Sequence, residues 1–90
     1  MRKTIEVSLY GAGGNNAVVR MPERRNAGVV VQADTLHALA ADARRIAEEL
    51  KVSAPGSELA DEAEALAEQL EELFDTLKAE LERAGEAPTV

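Results

Sequence analysis

The chain has 90 residues, no cysteine, and a formal net charge of −7 at pH 7. Ninety residues suffice for one domain, and the lack of cysteine excludes disulfides and thiolate metal sites. Tyr10 and Phe74 are the only aromatic residues other than His37, which argues against an aromatic-lined pocket for a small molecule. No apolar stretch approaches the roughly 18 residues of a membrane span. We therefore expect a cytoplasmic protein that makes no membrane contact.

The charge is unevenly distributed along the chain. Residues 1–33 carry five basic and two acidic side chains, whereas residues 57–90 carry two basic and eleven acidic ones. An acidic surface of this kind repels phosphate groups, so we expect no binding to nucleic acid. The charge instead predicts a basic protein partner.

The first third of the chain has the pattern of a β-meander. Ile5, Val7 and Leu9 alternate with polar residues, as in a strand with one buried face. The glycine-rich loop 11–16 lacks the Lys-Ser/Thr ending of a phosphate-binding loop and leads into a strand, so it predicts a hairpin turn. Pro22 ends the second strand, and Gly28 opens the third. The predicted strands cover residues 4–10, 17–21 and 28–33.

The remainder has the pattern of two amphipathic helices, predicted over 35–51 and 58–84, with a polar tail over 85–90. Asp34 or Thr35 is the expected N-cap of the first helix, and Ser57 that of the second. Apolar residues recur at helical spacing in both. In the first helix they are Leu36, Leu39, Ala43, Ile46 and Leu50, and in the second Leu59, Ala63, Leu66, Leu70, Leu73 and Leu77. The sequence thus predicts one α+β domain over 1–84, a three-stranded antiparallel meander followed by an antiparallel helical hairpin with a long second helix.

The unequal helix lengths predict self-association. The first helix and three short strands cannot cover the whole apolar stripe of the second helix, which is longer by about ten residues at 1.5 Å per residue. A second copy of the chain is the simplest partner for the remainder. The residues expected in this homodimer contact are Leu70, Leu73, Phe74, Leu77 and Leu81.

No pattern of residues predicts catalysis, a metal or a cofactor. His37 lies off the apolar stripe, and a lone histidine without cysteine is a poor transition-metal ligand set. His37 could pair with Asp34 at helical spacing, and this is the basis of the hypothesis that the protein is an enzyme. No nucleophile motif accompanies the pair. The carboxylates of the second helix lack the Glu-x-x-His motif of di-metal bundle sites. They are expected to form a solvated face or a docking surface.

Two charged groups are candidate contacts with a protein partner. Arg20, Arg24 and Arg25 form a basic cluster at the second hairpin, and arginine is enriched among interface hot spots. Glu68 and Glu72 represent the acidic face of the second helix, which suits a basic partner.

Two resemblances to known families add to this interpretation. The run Asn15–Pro22 (NNAVVRMP), then Arg25 and Gly28–Leu36 (GVVVQADTL), resembles the core of a family of short uncharacterised actinomycete proteins. It implies a shared fold and no assigned activity. The order of Pro22, Gly28, Asp34-Thr35-Leu36 and an alanine-rich helix also resembles the N-terminal domain of HicB-type antitoxins. That resemblance implies a domain that packs against a small basic toxin and neutralises it.

The sequence therefore predicts a non-enzymatic protein–protein interaction module, an antitoxin-like or immunity-like neutraliser of a basic partner that forms a homodimer. The alternative is a small regulatory or scaffold subunit of a larger assembly.

Overall fold

Three short strands and two long helices follow one another along the chain. The structure is a computed structural model that describes residues 2–14 and 16–87. Its elements are β1 (Ser8–Tyr10), β2 (Val18–Arg20), β3 (Gly28–Val29), α1 (Ala33–Ser53) and α2 (Glu58–Arg83). The strands form an antiparallel sheet in the order β1-β2-β3, and α1 packs against α2. This confirms the predicted α+β class with a meander and a helical hairpin.

The chain divides into two compact units at the junction of Gln32 and Ala33. The strands belong to the first unit and both helices to the second. The prediction of a single domain over 1–84 stays a prediction. Asn15, in the predicted glycine-rich loop, and residues 88–90, in the predicted tail, lie outside the described residues.

Each strand is shorter than its pattern predicted. Ser8 pairs with Arg20 and Leu9 with Val19, which would place position 6 opposite Pro22. Proline has no backbone N–H to donate, so the ladder ends before it. The third strand stops at Val29, and α1 begins at Ala33, ahead of both predicted N-cap residues.

The sheet carries apolar side chains on both faces. Leu9 and Val19 lie opposite each other on one face, as the alternation predicted, and Tyr10, Val18 and Val29 form a row on the other. None of the described residues in this unit is buried. Three strands of two or three residues therefore do not bury a core of their own, and a small isolated sheet is marginally stable.

The turn between the helices follows from three residues. Pro55 and Gly56 occupy its centre, where Gly56 has φ +73° and the Ser57 N–H donates to the Ala54 carbonyl oxygen at 3.2 Å. A positive φ at this position is accessible to glycine at little cost. The Ser57 hydroxyl then accepts from the Ala60 N–H at 3.1 Å, which confirms Ser57 as the N-cap of α2.

The hydrophobic core of the hairpin is built mainly from alanine. We call its five buried alanines the alanine seam. They are Ala40, Ala43, Ala47, Ala60 and Ala67. Leu36 and Phe74 are also buried, and Ala47 and Ala67 have no exposed surface. Small side chains on both helices allow a close approach of the two backbones, because the distance between helix axes depends on the side chains at the contact.

The buried row is offset by one residue from the leucine-rich row of the sequence. Within α1, Leu36 and Ala43 of the predicted stripe are buried, but Leu39 and Ile46 are 47% and 48% exposed. In α2 the buried Ala60, Ala67 and Phe74 each directly follow an exposed leucine. One residue corresponds to about 100° around a helix, since a turn holds about 3.6 residues. The hairpin thus closes on its alanine row and leaves large aliphatic side chains outside.

Candidate functional site

A single arginine links the two helices on one side of the hairpin. The Arg44 guanidinium donates from Nε and Nη2 to the two carboxylate oxygens of Glu71, at 2.9 and 2.8 Å. Its Nη1 donates to Glu64 at 2.8 Å and to Glu48 at 3.1 Å. The Lys51 Nζ lies 2.7 Å from the same Glu64. We call these five residues the Arg44 clamp, and its bidentate contact fixes the relative rotation of the helices.

The clamp perturbs the acid–base properties of its members. Hydrogen bonds from Arg44, then from Lys51, lower the pKa of Glu64 from 4.5 to about 2. A hydrogen bond from Arg44 also lowers the pKa of Glu71, and the one to Glu64 raises the pKa of Lys51. Because these groups are held in their charged forms, they suit a structural ion-pair network better than proton transfer near neutral pH.

Replacement of Glu64 by glutamine is expected to remove a pH-dependent part of the stability. A carboxyl whose pKa is lowered in the folded state stabilises the fold above its ordinary value of 4.5, and this contribution disappears as the pH falls towards about 2. The wild type should therefore exceed Glu64→Gln in free energy of unfolding at neutral pH, with the difference vanishing across that acidic range. Urea denaturation followed by circular dichroism at a series of pH values measures this difference.

The matched control for this prediction is Glu68→Gln, which neutralises an exposed carboxylate one helical turn along α2. Glu68 takes part in no ion pair among the described residues. Its replacement should leave the acid dependence of stability close to that of the wild type. A constant difference between wild type and Glu64→Gln at every pH would contradict the assignment.

A shallow groove lies beside the clamp on the same side of the hairpin. His37 stacks on Phe74 with ring centroids 4.9 Å apart, and the Lys78 Nζ lies 5.0 Å from the Phe74 centroid. The groove holds about 280 Å³, at the lower limit of the roughly 300–1,000 Å³ of small-molecule pockets. Arg44, Glu71 and Asp75 also line it, so charges of both signs meet there.

The pair behind the enzyme hypothesis is engaged elsewhere. The Asp34 carboxylate accepts from the Thr35 backbone N–H at 2.8 Å, and the exposed His37 stacks on Phe74. No hydrogen bond joins Asp34 to His37 in the described part of the chain. Among residues 2–14 and 16–87, no group of three His, Asp or Glu side chains could hold a metal ion.

The opposite side of the hairpin carries an exposed apolar surface, which we call the leucine face. Its members are Leu39, Ile46, Leu59, Leu66 and Leu73, which are 47%, 48%, 61%, 53% and 54% exposed. Within each helix they recur every seven residues, so they lie in line along the hairpin. Contiguous apolar surface of this extent commonly marks an interaction site.

The five residues predicted for self-association fall in three different places. Leu73 belongs to the leucine face, and Leu70, Leu77 and Leu81 are half-buried beside it. Phe74 is 8% exposed and lies inside the hairpin, because the one-residue offset turns it towards α1. Phe74 is therefore a core residue, unavailable to a second chain.

The acidic candidates lie on the outer surface of α2. Glu68 and Glu72 are exposed, as is Asp61 one heptad before Glu68. No ion pair engages these three carboxylates within the described residues. The carboxylates of the Arg44 clamp, in contrast, are all paired. Asp61, Glu68 and Glu72 therefore remain available to a basic surface.

The basic candidates lie in the first unit. All three are exposed, and the Arg20 guanidinium carbon lies 5.7 Å from the Tyr10 ring centroid. The Arg24 N–H donates to the Met21 carbonyl oxygen at 3.1 Å, closing a turn in which Glu23 has φ +65°. This left-handed conformation is unfavourable for a side chain such as glutamate. The turn presents Arg24 and Arg25 on a strained tip.

The Arg44 clamp is not among the sites that the sequence predicts. One signal for it was present, since Glu64 and Glu71 are seven residues apart and share a face of α2. The position of Arg44 opposite them depends on how the two helices align. That alignment is a tertiary property.

Comparison with known proteins places the whole described fold in one family. A model of a protein family of unknown function (DUF6959) matches residues 2–87. The chain belongs to this family. The match extends across the sheet, the Arg44 clamp and the leucine face of this DUF6959 member. Neither a curated protein nor a solved structure matches the chain. No described helix is long and apolar enough to cross a membrane.

Proposed function

We propose that this DUF6959 member is a protein–protein interaction module without enzymatic activity. The observation that carries the proposal is the leucine face, on which five large aliphatic side chains are about half exposed or more. Such a surface is costly in water and becomes favourable when a protein partner covers it. The module acts as a homodimer in the cytoplasm.

The proposed external partner is a basic protein. The unpaired carboxylates of Asp61, Glu68 and Glu72 support this, together with the net charge of −7. Opposite charges on two partners accelerate their association and favour correct pairing. The Arg24–Arg25 turn, in the first unit, is the alternative contact with a protein partner. The resemblance to HicB-type antitoxins supports a neutraliser of a basic toxin-like protein as the biological role.

Affinity purification of the tagged chain from its native cells tests this proposal. At low salt we expect one stoichiometric basic partner, released as the ionic strength rises, because salt screens exposed charges. The double variant Glu68→Gln/Glu72→Gln should retain less of that partner. Its matched control, Glu49→Gln/Glu62→Gln, removes the same charge from exposed positions elsewhere on the hairpin. Equal retention by both variants, or a partner indifferent to salt, would contradict an acidic docking surface.

A regulatory or scaffold subunit of a larger assembly is the second candidate. The leucine face supports it as well, because an apolar surface along a helical hairpin is a common docking element. The growth of cells that express the captured partner distinguishes a neutraliser from a scaffold subunit. A neutraliser rescues cells that express the captured partner, whereas a scaffold subunit leaves their growth unchanged and elutes within a complex of several proteins.

A further inference from the structure

We infer that the leucine face binds a second copy of this chain, so that two helical hairpins form a four-helix bundle. Two helices that already lie side by side and present a common apolar surface are half of such a bundle. A two-fold axis brings the same surface of both copies together, so a single face satisfies both partners. The inference makes the homodimer of the proposed function specific and rests on that proposal.

The pattern of the face suits helix packing. Leu59, Leu66 and Leu73 repeat every seven residues along α2 and are exposed, whereas Ala63 and Leu70, between them in the sequence, pack against the alanine seam of the same chain. A seven-residue repeat of large apolar side chains lies along one line of a helix and is typical of helices that pack in a left-handed bundle.

The size of the face also fits a dimer. The two helices have 21 and 26 residues. With a rise of about 1.5 Å per residue and a width of about 10 Å per helix, the outline of one side of the hairpin has an area of roughly 700 Å². A standard interface buries about 800 Å² on each partner.

Charge favours a second copy over a basic protein as the occupant of this face. The Arg44 clamp and the unpaired carboxylates of Glu68 and Glu72 are on other sides of the hairpin, so two copies meet mainly through apolar side chains. Asp42 and Glu62, each three residues after one member of the leucine face and four before the next, lie at its edge and are exposed. Each chain still carries a net charge of −7. Salt screens that repulsion, so the dimer should tighten as ionic strength rises, whereas binding of a basic partner should weaken.

Sedimentation equilibrium of the full chain at low and high salt measures this association. We expect twice the chain mass of 9.6 kDa and a dissociation constant that falls with added salt. Leu66→Glu should raise that constant at least about tenfold, because it buries a carboxylate in the bundle. Ala65→Glu is the matched control, since it adds the same charge at the neighbouring exposed position off the leucine face.

Cysteine cross-linking provides a second measurement that does not depend on a disruptive substitution. The chain has no cysteine, so single variants report only their own position. At least one of Leu59→Cys, Leu66→Cys and Leu73→Cys should form a disulfide-linked dimer under mild oxidation, and Ala65→Cys should form no disulfide link. Circular dichroism checks that each variant keeps its helical content.

Three results would overturn the inference. They are a wild type that stays monomeric at both salt concentrations, equal effects of Leu66→Glu and Ala65→Glu, and cross-linking no stronger on the leucine face than at position 65. None of these three results contradicts the binding of a basic partner, which is tested separately. Retention of a basic partner depends on Glu68 and Glu72 and has the opposite response to salt.

Discussion

Replacing Phe74 by alanine is expected to lower the free energy of unfolding of the helical hairpin by about 3–5 kcal/mol, the usual cost of removing a buried phenylalanine. Phe74 is the largest buried side chain among the described residues and is 8% exposed. The substitution removes its stacking on His37 and its contact with the Lys78 ammonium group. The cavity it leaves is lined by small residues such as Ala40, which cannot fill it. Urea denaturation followed by the helical circular dichroism signal measures the loss.

Val52→Ala is the control for this first prediction. Val52 lies in α1 and is 85% exposed, so its replacement should change stability by no more than about 0.5 kcal/mol. If Phe74→Ala were as mild as Val52→Ala, the hairpin interior would be arranged differently from the structure. Phe74 packs within one chain. The difference in free energy of unfolding between wild type and Phe74→Ala should therefore not depend on protein concentration, apart from any contribution of dimerisation.

Enlarging the alanine seam is expected to cause the second large loss. Ala67 has no exposed surface and packs with Ala43 and Ala47 of the opposite helix. Ala67→Leu adds three carbon atoms where the helix backbones approach closely, so the helices must separate or the side chain must adopt a strained rotamer. Overpacking of this kind costs about 1–3 kcal/mol. The same denaturation experiment measures it.

A matched pair isolates the effect of the seam in this second prediction. Ala65→Leu introduces the same side chain at an exposed position of α2 two residues away, and it should be close to neutral. Ala67→Leu should also disturb the Arg44 clamp, since separation of the helices lengthens its contacts with Glu64 and Glu71. Equal stability of the two variants would show that the helices pack through another row.

The fold class could be read from the sequence because its signals are local. Alternation at Ile5, Val7 and Leu9 marks a strand, and the Pro55-Gly56-Ser57 run ends one helix and caps the next. Each of these signals acts over a few residues, so it needs no knowledge of distant partners. Strand length was less predictable, because the ladder ends where the hairpin register brings Pro22 opposite position 6.

The candidate site was only partly predictable for a related reason. Glu68 and Glu72 are exposed and unpaired, as an acidic helix face suggests, but Phe74 turned out to be interior. The sequence pattern does not predict the Arg44 clamp, because its members come from two helices. A long-range ion pair has no local periodicity to reveal it.

The sequence by itself determined the order, type and turns of the elements, together with the presence of apolar stripes on both helices. Only the tertiary structure decided which stripe is buried. Two rows, offset by one residue, are both apolar, and their periods are identical. Hydrophobic periodicity cannot distinguish them. Close approach of the helices favours the alanine row, and the ion pairs of Arg44 with Glu64 and Glu71 fix the rotation of one helix relative to the other. That rotation leaves the leucine face outward.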